Sequence, residues 1–405
     1  MGLNQTPSSE RIHIGIFGKR NAGKSSIINA ITNQKLAIVS QVRGTTTDPV
    51  YKSMELLPLG PVVLIDTPGL DDEGELGKQR IQKALEVLRK TDLALLIVDG
   101  SVGMSPEDRA LEEELKKRGI SYLLVYNKKD LCVEEVQGST GEVGRGQEGN
   151  AVWVSAETGE GIWELKERLA CLVPQTDPEK RLVADFLKPL DVVVLVVPID
   201  KAAPKGRLIL PQQQAIRDIL EAGAISVVVR ESELRETLAK LGQKPRLVIT
   251  DSQVFEKVAA ETPEDVELTS FSILFARYKG NLEQAIAGAR MLEQLRDGDQ
   301  VLISEGCTHH RQCGDIGTEK LPRWMAEYTG KKLEYTFSSG TEFPEELQKY
   351  RLVVHCGGCM LNEREMQYRL AEAKNQGVPM TNYGILIAYM KGILKRSVQP
   401  MGITL

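Results

Sequence analysis

The sequence predicts an α/β protein of three α/β domains, an N-terminal P-loop nucleotide-binding fold followed by two smaller parallel-sheet domains. Three observations carry that expectation. Apolar runs alternate with amphipathic segments through residues 11–172, a phosphate-loop signature sits between the first run and the first amphipathic segment, and proline-bearing and acidic stretches divide the remainder into two further sets of apolar runs. Such alternation gives a mostly parallel sheet covered on both faces, because each parallel crossover lays a helix against it. A chain of 405 residues is long enough for two or three domains, each with its own core.

In order, IHIGIF, PVVLID, LALLIVD, YLLVYN and AVWVS read as buried strands, and KSSIINAIT, LGKQRIQKALEVLRK and PEDRALEEELKKRG as helices between them. The glycine-rich polar segment 134–150 breaks the rhythm and reads as an exposed loop. Pro174, Pro178 and Pro189 mark a connector, after which DVVVLVVPI, AISVVV and PRLVIT read as strands with helices near 211–222 and 231–241. This middle unit has no phosphate loop and no cluster of catalytic residue types, so it reads as a structural or oligomerisation module. The acidic stretch ETPEDVE at 261–267 reads as a boundary. Beyond it QVLISE, KLEYTF, RLVVHC and VPMTN read as strands, with helices at 281–296, 321–329, 362–376 and 384–394. The expected domains are therefore 8–173, 185–265 and 270–405.

Composition excludes several classes. A net charge of −5 argues against a protein that coats nucleic acid. The first residues carry no apolar signal core, and no run reaches the roughly 18–20 apolar residues of a membrane span, so a cytoplasmic protein is expected. Six cysteines are too few for a disulfide scaffold of this length, which leaves clustered ones as metal candidates.

Gly18-Lys19-Arg20-Asn21-Ala22-Gly23-Lys24-Ser25 matches G-x-x-x-x-G-K-[ST] between a strand and a helix. Backbone N–H groups of this loop close on phosphate oxygens, Lys24 reaches the β and γ phosphates, and Ser25 meets Mg²⁺, with Ser26 opening the helix beside them. Asn127-Lys128-Lys129-Asp130 after YLLVY is the N-K-x-D element that names guanine. The Asp130 carboxylate can accept from guanine N1 and N2, the Lys128 stem can pack on the ring, and Ser155-Ala156 is placed for backbone N–H to meet O6. Asp66-Thr67-Pro68-Gly69 supplies a metal-water carboxylate and a glycine N–H to sense the γ-phosphate, and Gly44–Asp48 reads as the first switch. The expected class is a P-loop GTPase.

The order of these elements resembles the TrmE-Era group of GTPases, whose G-T-T-x-D pattern implies Thr46 on Mg²⁺. Leu70 stands where Ras-type proteins carry the glutamine that orients water. Asn21 matches the asparagine of potassium-activated members, implying K⁺-stimulated hydrolysis in which a monovalent cation stabilises transition-state charge.

Cys307-Thr308-His309 and His355-Cys356-Gly357-Gly358-Cys359 form the second constellation. On residues alone, three thiols and a histidine suit a Cys₃His zinc site or a [4Fe–4S] cluster on three thiolates equally. A TrmE-Era-like GTPase, a middle α/β domain and C-x-H followed some 45 residues later by H-C-x-x-C together resemble the HydF family of [FeFe]-hydrogenase maturation GTPases, over essentially the whole chain.

That resemblance implies a [4Fe–4S] cluster on Cys307, Cys356 and Cys359 with an exchangeable fourth position. His309, His355 and Glu305 are fourth-ligand candidates, with His310 and Cys313 as extra neighbours. It also implies a homodimer or higher oligomer, and a scaffold that carries a di-iron precursor to apo-hydrogenase alongside radical S-adenosylmethionine maturation enzymes. The alternatives are an RNA- or ribosome-associated GTPase with a structural zinc domain, against which stand the acidic balance and the lack of a basic aromatic stretch, and a radical or redox enzyme, for which the C-x-x-x-C-x-x-C run is missing.

Overall fold

The computed structural model describes residues 6–33, 49–69, 83–132, 150–173, 180–199, 208–280, 282–306, 315–340 and 342–405. The chain divides into two compact units, Met1–Thr176 and Asp177–Leu405. Among the described residues no helix is long and apolar enough to cross a membrane.

The first unit is built on six strands, β1 (Ile12–Gly18), β2 (Val50–Leu56), β3 (Gly60–Asp66), β4 (Leu93–Asp99), β5 (Ser121–Asn127) and β6 (Ala151–Trp153). They lie in the order β2-β3-β1-β4-β5-β6, parallel except for β2 against β3. Helices α1 (Lys24–Thr32), α2 (Pro106–Lys117) and α3 (Ile162–Leu172) pack on the sheet. Alternate residues of each buried strand serve opposite faces. Ile14, Ile16, Leu93, Leu95 and Leu123 join Ile27, Ile31 and Leu165, whereas Phe17, Ala94, Leu96 and Val98 join Leu111 and Leu115. Continuously apolar runs are the sequence form of that double burial. Helix α2 begins where Ser105 Oγ accepts from Asp108 N–H at 3.2 Å and Asp108 Oδ2 accepts from Ser105 N–H at 3.0 Å, with Pro106 in the first turn.

The second unit holds two all-parallel four-stranded sheets. One comprises β7 (Val192–Val196), β8 (Ile225–Val229), β9 (Leu247–Thr250) and β10 (Glu267–Ser270) in the order β10-β9-β7-β8. Its helices are α4 (Leu210–Glu221), α5 (Leu234–Lys240), α6 (Phe255–Glu261) and α7 (Phe271–Tyr278). The other comprises β11 (Gln300–Glu305), β12 (Glu334–Ser339), β13 (Leu352–His355) and β14 (Met380–Asn382) in the order β12-β11-β13-β14. It carries α8 (Leu282–Ala289), α9 (Leu321–Thr329), α10 (Glu363–Asn375), α11 (Tyr383–Met390) and α12 (Leu394–Val398).

Two details go beyond the sequence pattern. The acidic stretch 261–267, read as a boundary, runs from the last residue of α6 to the first of β10, which pairs with β9 from Glu267↔Leu247 to Ser270↔Thr250. The strand ELTS has no apolar run because Thr269 and Ser270 are buried polar residues at a sheet end. The two sheets also share one core. Val194, Val248 and Leu268 of the first meet Val301, Ile303, Leu352 and Val354 of the second through Ile273, Ile286 and Leu386.

Arg369 on α10 is fully buried and pins the second sheet. Its Nε donates to Glu365 Oε1 at 2.9 Å, Nη1 to His355 Nε2 at 3.0 Å and Ser304 Oγ at 3.4 Å, and Nη2 to Gly340 O at 2.9 Å. One guanidinium thus fastens the ends of β11 and β13 and the loop after β12 to α10. Arg369→Ala leaves Glu365 buried without its cation and is expected to cost about 3–5 kcal/mol, with part of the loss recovered in the Arg369→Met/Glu365→Leu pair. Urea unfolding of the three proteins measures both effects.

Candidate functional site

In the first unit the carboxyl ends of β1, β3, β4 and β5 share one edge, the edge at which parallel sheets bind ligands. β1 stops at Gly18 and α1 starts at Lys24, so residues 19–23 form the phosphate loop. The loop needs left-handed backbone at Asn21, φ +60°, and at Gly23, φ +95°. A Cβ on Gly23 would lie 2.1 Å from Asn127 Nδ2. Only glycine meets both conditions. The first turn of α1 then presents unsatisfied N–H groups and the positive end of its dipole to the loop.

Lys24 Nζ donates to the carbonyls of Gly18 and Lys19, each at 2.8 Å. Ser25 Oγ donates to Asp66 Oδ2 at 3.1 Å, which joins the start of α1 to the end of β3. These are the two residue types expected around Mg²⁺. Burial pushes the Asp66 carboxyl up, opposed by the Lys24 charge and the Ser25 bond, and a divalent cation would favour the charged form further. Thr67 Oγ1 and N–H both donate to Ile16 O, at 2.6 Å and 3.3 Å, and hold the segment leading to Gly69 against β1.

Asn127 ties the pocket together. Its Nδ2 donates to Ala22 O at 3.0 Å in the phosphate loop, and its Oδ1 accepts from Ala156 N–H at 3.1 Å. The amide expected to meet guanine O6 is therefore engaged by Asn127 in this arrangement. Lys128 adopts φ +67° and its Nζ donates to Asp99 Oδ2 at 2.5 Å. Burial raises the Asp99 carboxyl, but its bonds to Lys128 and Ser101 outweigh that and hold it low. Ser155 Oγ donates to Asp130 Oδ1 at 2.5 Å and fixes the guanine-reading carboxylate. Asp99 was not singled out by sequence. Its position at the end of LALLIVD, paired in register with Asn127, is the signal that could have found it. Ser26 is half-buried in the first turn of α1 and Asn21 is exposed. Thr46, the rest of Gly44–Asp48 and Leu70 lie outside the described residues.

In the second unit β11 and β13 are neighbours, with Ser304 opposite His355 and Cys356 N–H donating to Ser304 O at 2.9 Å. Cys356 Sγ accepts two backbone N–H groups, from Gly306 at 3.0 Å and Gly358 at 3.3 Å. Gly306 is the residue that precedes Cys307 in the sequence. Burial pushes the Cys356 thiol up while both amides pull it down, and burial lifts Cys359 to about 11. Metal binding would displace those protons, since thiolate is the ligand form.

Lys279, between α7 and α8, is buried beside this loop. Its Nζ donates to Gly358 O and, at 3.0 Å, to Leu361 O. Burial lowers the ammonium to about 8, against the raising effect of Cys359 and Cys356.

The candidate ligands differ in availability. His355 is 1 % exposed, its Nδ1 bonded to Cys356 O at 2.7 Å and its Nε2 to Arg369 Nη1 at 3.0 Å. Burial, reinforced by Arg369, depresses it to about 3. The ring is thus neutral, donating from Nδ1 and accepting at Nε2, and neither nitrogen is open to a metal. In this arrangement His355 helps to position the strand end through both ring nitrogens. Glu305 is buried at the end of β11 with Tyr383 Oη donating to its Oε1 at 3.2 Å. Among the described residues no three metal-ligating side chains converge. Cys307, His309, His310 and Cys313 lie outside them.

A sheet with a phosphate loop, a magnesium-type Ser/Asp pair and a guanine-reading N-x-x-D element defines a P-loop GTPase domain. Residues 13–128 match the family model described as 50S ribosome-binding GTPase. The remainder decides the particular family. Residues 182–280 match the hydrogen maturase F dimerization domain and residues 283–400 the hydrogen maturase F tetramerization domain, and the chain belongs to the hydrogen maturase F (HydF) family.

Other relatives share the GTPase domain. The tRNA modification GTPase MnmE of Nitrosospira multiformis is 36 % identical over 161 residues, 40 % of this chain and 34 % of that protein. GTPase Der of Kosmotoga olearia is 30 % identical over 187 residues, covering 43 % of this chain and 42 % of Der. GTPase Der of Wolinella succinogenes is 35 % identical over 177 residues, 41 % of this chain and 36 % of its own length. The chain thus spans between about a third and two-fifths of the length of these relatives.

Gly23→Ala is expected to weaken GDP binding at least tenfold, because the new methyl group must displace Asn127 from both the phosphate loop and Ala156. Calorimetric titration with Mg²⁺·GDP measures it, and unchanged affinity would contradict the role given to Asn127.

Proposed function

We propose that this chain is a GTP-hydrolysing scaffold that binds a [4Fe–4S] cluster on Cys307, Cys356 and Cys359 and carries the di-iron precursor of the [FeFe]-hydrogenase active site to the apo-enzyme. The observation that supports it best is the sulfur of Cys356 receiving two backbone N–H groups, one of them from the residue that precedes Cys307. Amides aimed at sulfur stabilise thiolate and the anionic cluster it would ligate, so these residues fit such a group. The cluster, when bound, would supply an iron with a position that can be exchanged.

The chain's own residues do the rest. Cys356 and Cys359 hold one side of the site, Cys307 the other, and Glu305 or His309 supplies a weaker fourth ligand. Arg369 and His355 keep the end of β13 in place. A labile fourth ligand suits a carrier, because it can leave when a second cluster docks. In the other unit Lys24 neutralises the β and γ phosphates, Ser25 and Asp66 hold Mg²⁺ with Thr46, and Gly69 senses the γ-phosphate. Asn21 helps to place K⁺. Lys128, Asp130 and the Ser155-Ala156 turn read guanine. The protein works in the cytoplasm as a homodimer or larger oligomer, with radical S-adenosylmethionine maturation enzymes and apo-hydrogenase as partners.

Anaerobic reconstitution with iron and sulfide, followed by metal analysis and electron paramagnetic resonance of the reduced protein, tests the cluster assignment. Four irons per chain are expected. Single Cys307→Ala, Cys356→Ala and Cys359→Ala variants should lose the signal and hydrogenase activation while GTP hydrolysis persists. Stoichiometric zinc without a cluster signal would sink the reading. For the nucleotide site, GTP turnover should be faster in K⁺ than in Na⁺ buffer at equal ionic strength, and Asn21→Ala should remove the difference. Equal rates in the two salts for the wild type would dismiss the potassium role.

A further inference from the structure

Lys279 is an unusual place to find a cation. It lies in the connection between the two sheets of the second unit, after α7 and before α8, and is 6 % exposed. Among the described residues no carboxylate pairs with its ammonium. Its Nζ is spent on two carbonyls, Gly358 O inside the C-x-x-C loop and Leu361 O just after it, and stands over the Phe275 ring at 5.9 Å from the centroid. Its own carbonyl accepts from Gln367 Nε2 of α10 at 2.6 Å, so backbone and side chain are both fastened to the cysteine-bearing half. Glu363, an acid whose charge acts on it, is paired to Lys180 at 2.6 Å. A buried ammonium satisfied only by carbonyls costs several kcal/mol of desolvation unless negative charge lies near it. The groups placed to provide that charge are Cys356 and Cys359.

We infer that Lys279 is the positioning residue and counter-charge of the metal site, clamping the C-x-x-C loop through Gly358 O and Leu361 O and setting the electrostatic potential of the anionic group held by Cys356 and Cys359. The inference rests on the cluster reading above. Iron–sulfur potentials respond to net charge and hydrogen bonding around the thiolates, and a cation fixed in a low-dielectric interior stabilises the reduced, more negative state. The lysine belongs to the dimerization-domain match and the loop to the tetramerization-domain match. The lysine therefore links the end of α7 directly to the C-x-x-C loop.

The test uses the full chain reconstituted anaerobically, as wild type, Lys279→Arg, which keeps the charge, and Lys279→Gln, which removes it but keeps a donor. Circular dichroism checks the fold, and iron content and midpoint potential come from a redox titration followed by electron paramagnetic resonance. The Gln variant is expected to shift to a more negative midpoint, or to lose iron that the Arg variant retains, while Arg stays near wild type. An unmoved midpoint in the Gln variant, or an equal change in both, overturns the inference and leaves the cluster reading standing. A wild-type protein that takes up no cluster overturns that reading instead, before any variant is compared. Should Lys279→Gln fail to fold, Lys279→Met, which keeps the packed stem, is read by the same criteria.

Discussion

The parallel register of β11 against β13, with Ser304 beside His355, is the constraint on which the second unit turns. Because the strands run the same way, their carboxyl ends lie at one edge, and Gly306 after β11 is brought to Cys356 after β13. The Gly306 amide then reaches Cys356 Sγ at 3.0 Å. The same logic governs the first unit, where the parallel ends of β1, β3, β4 and β5 bring Lys24, Asp66, Asp99 and Asn127 to one rim. A single antiparallel reversal in either place would send one of these segments to the opposite end of the sheet.

Each rim is made rigid by one buried polar side chain with several partners. Asn127 joins two loops in the first unit, and Arg369 joins two strands and a helix in the second. Buried polar groups are costly unless satisfied, so both act as tests of correct assembly: the bonds form only when every partner is in place. His355 shows the consequence: both of its ring nitrogens are engaged at the end of β13, one by Cys356 O and one by Arg369.

Much of this was legible in the sequence, and the failures have physical causes. KSSIINAIT and LPRWMAEYT become α1 and α9 with the expected bounds, because helical periodicity and sharp termini agree. Strand β2 was missed since it is an antiparallel edge with alternating exposure, where Val50 and Tyr51 face outward and no apolar run forms. Strand β10 and helix α7 were missed because acidic residues precede the one and a short polar strand hides the start of the other. The phosphate loop and N-x-x-D element are readable because their chemistry is local. The clamp by Lys279 and the fate of His355 depend on contacts 79 and 14 residues away, and no spacing rule reports those.

The shared core of the two C-terminal sheets has a bearing on ancestry. Val194, Val248 and Leu268 of the first sheet and Val301, Ile303 and Leu352 of the second belong to one buried apolar cluster. Recombination within the pair would strand apolar surface on both products, so the two sheets are bound to be inherited, and to drift in sequence, as one.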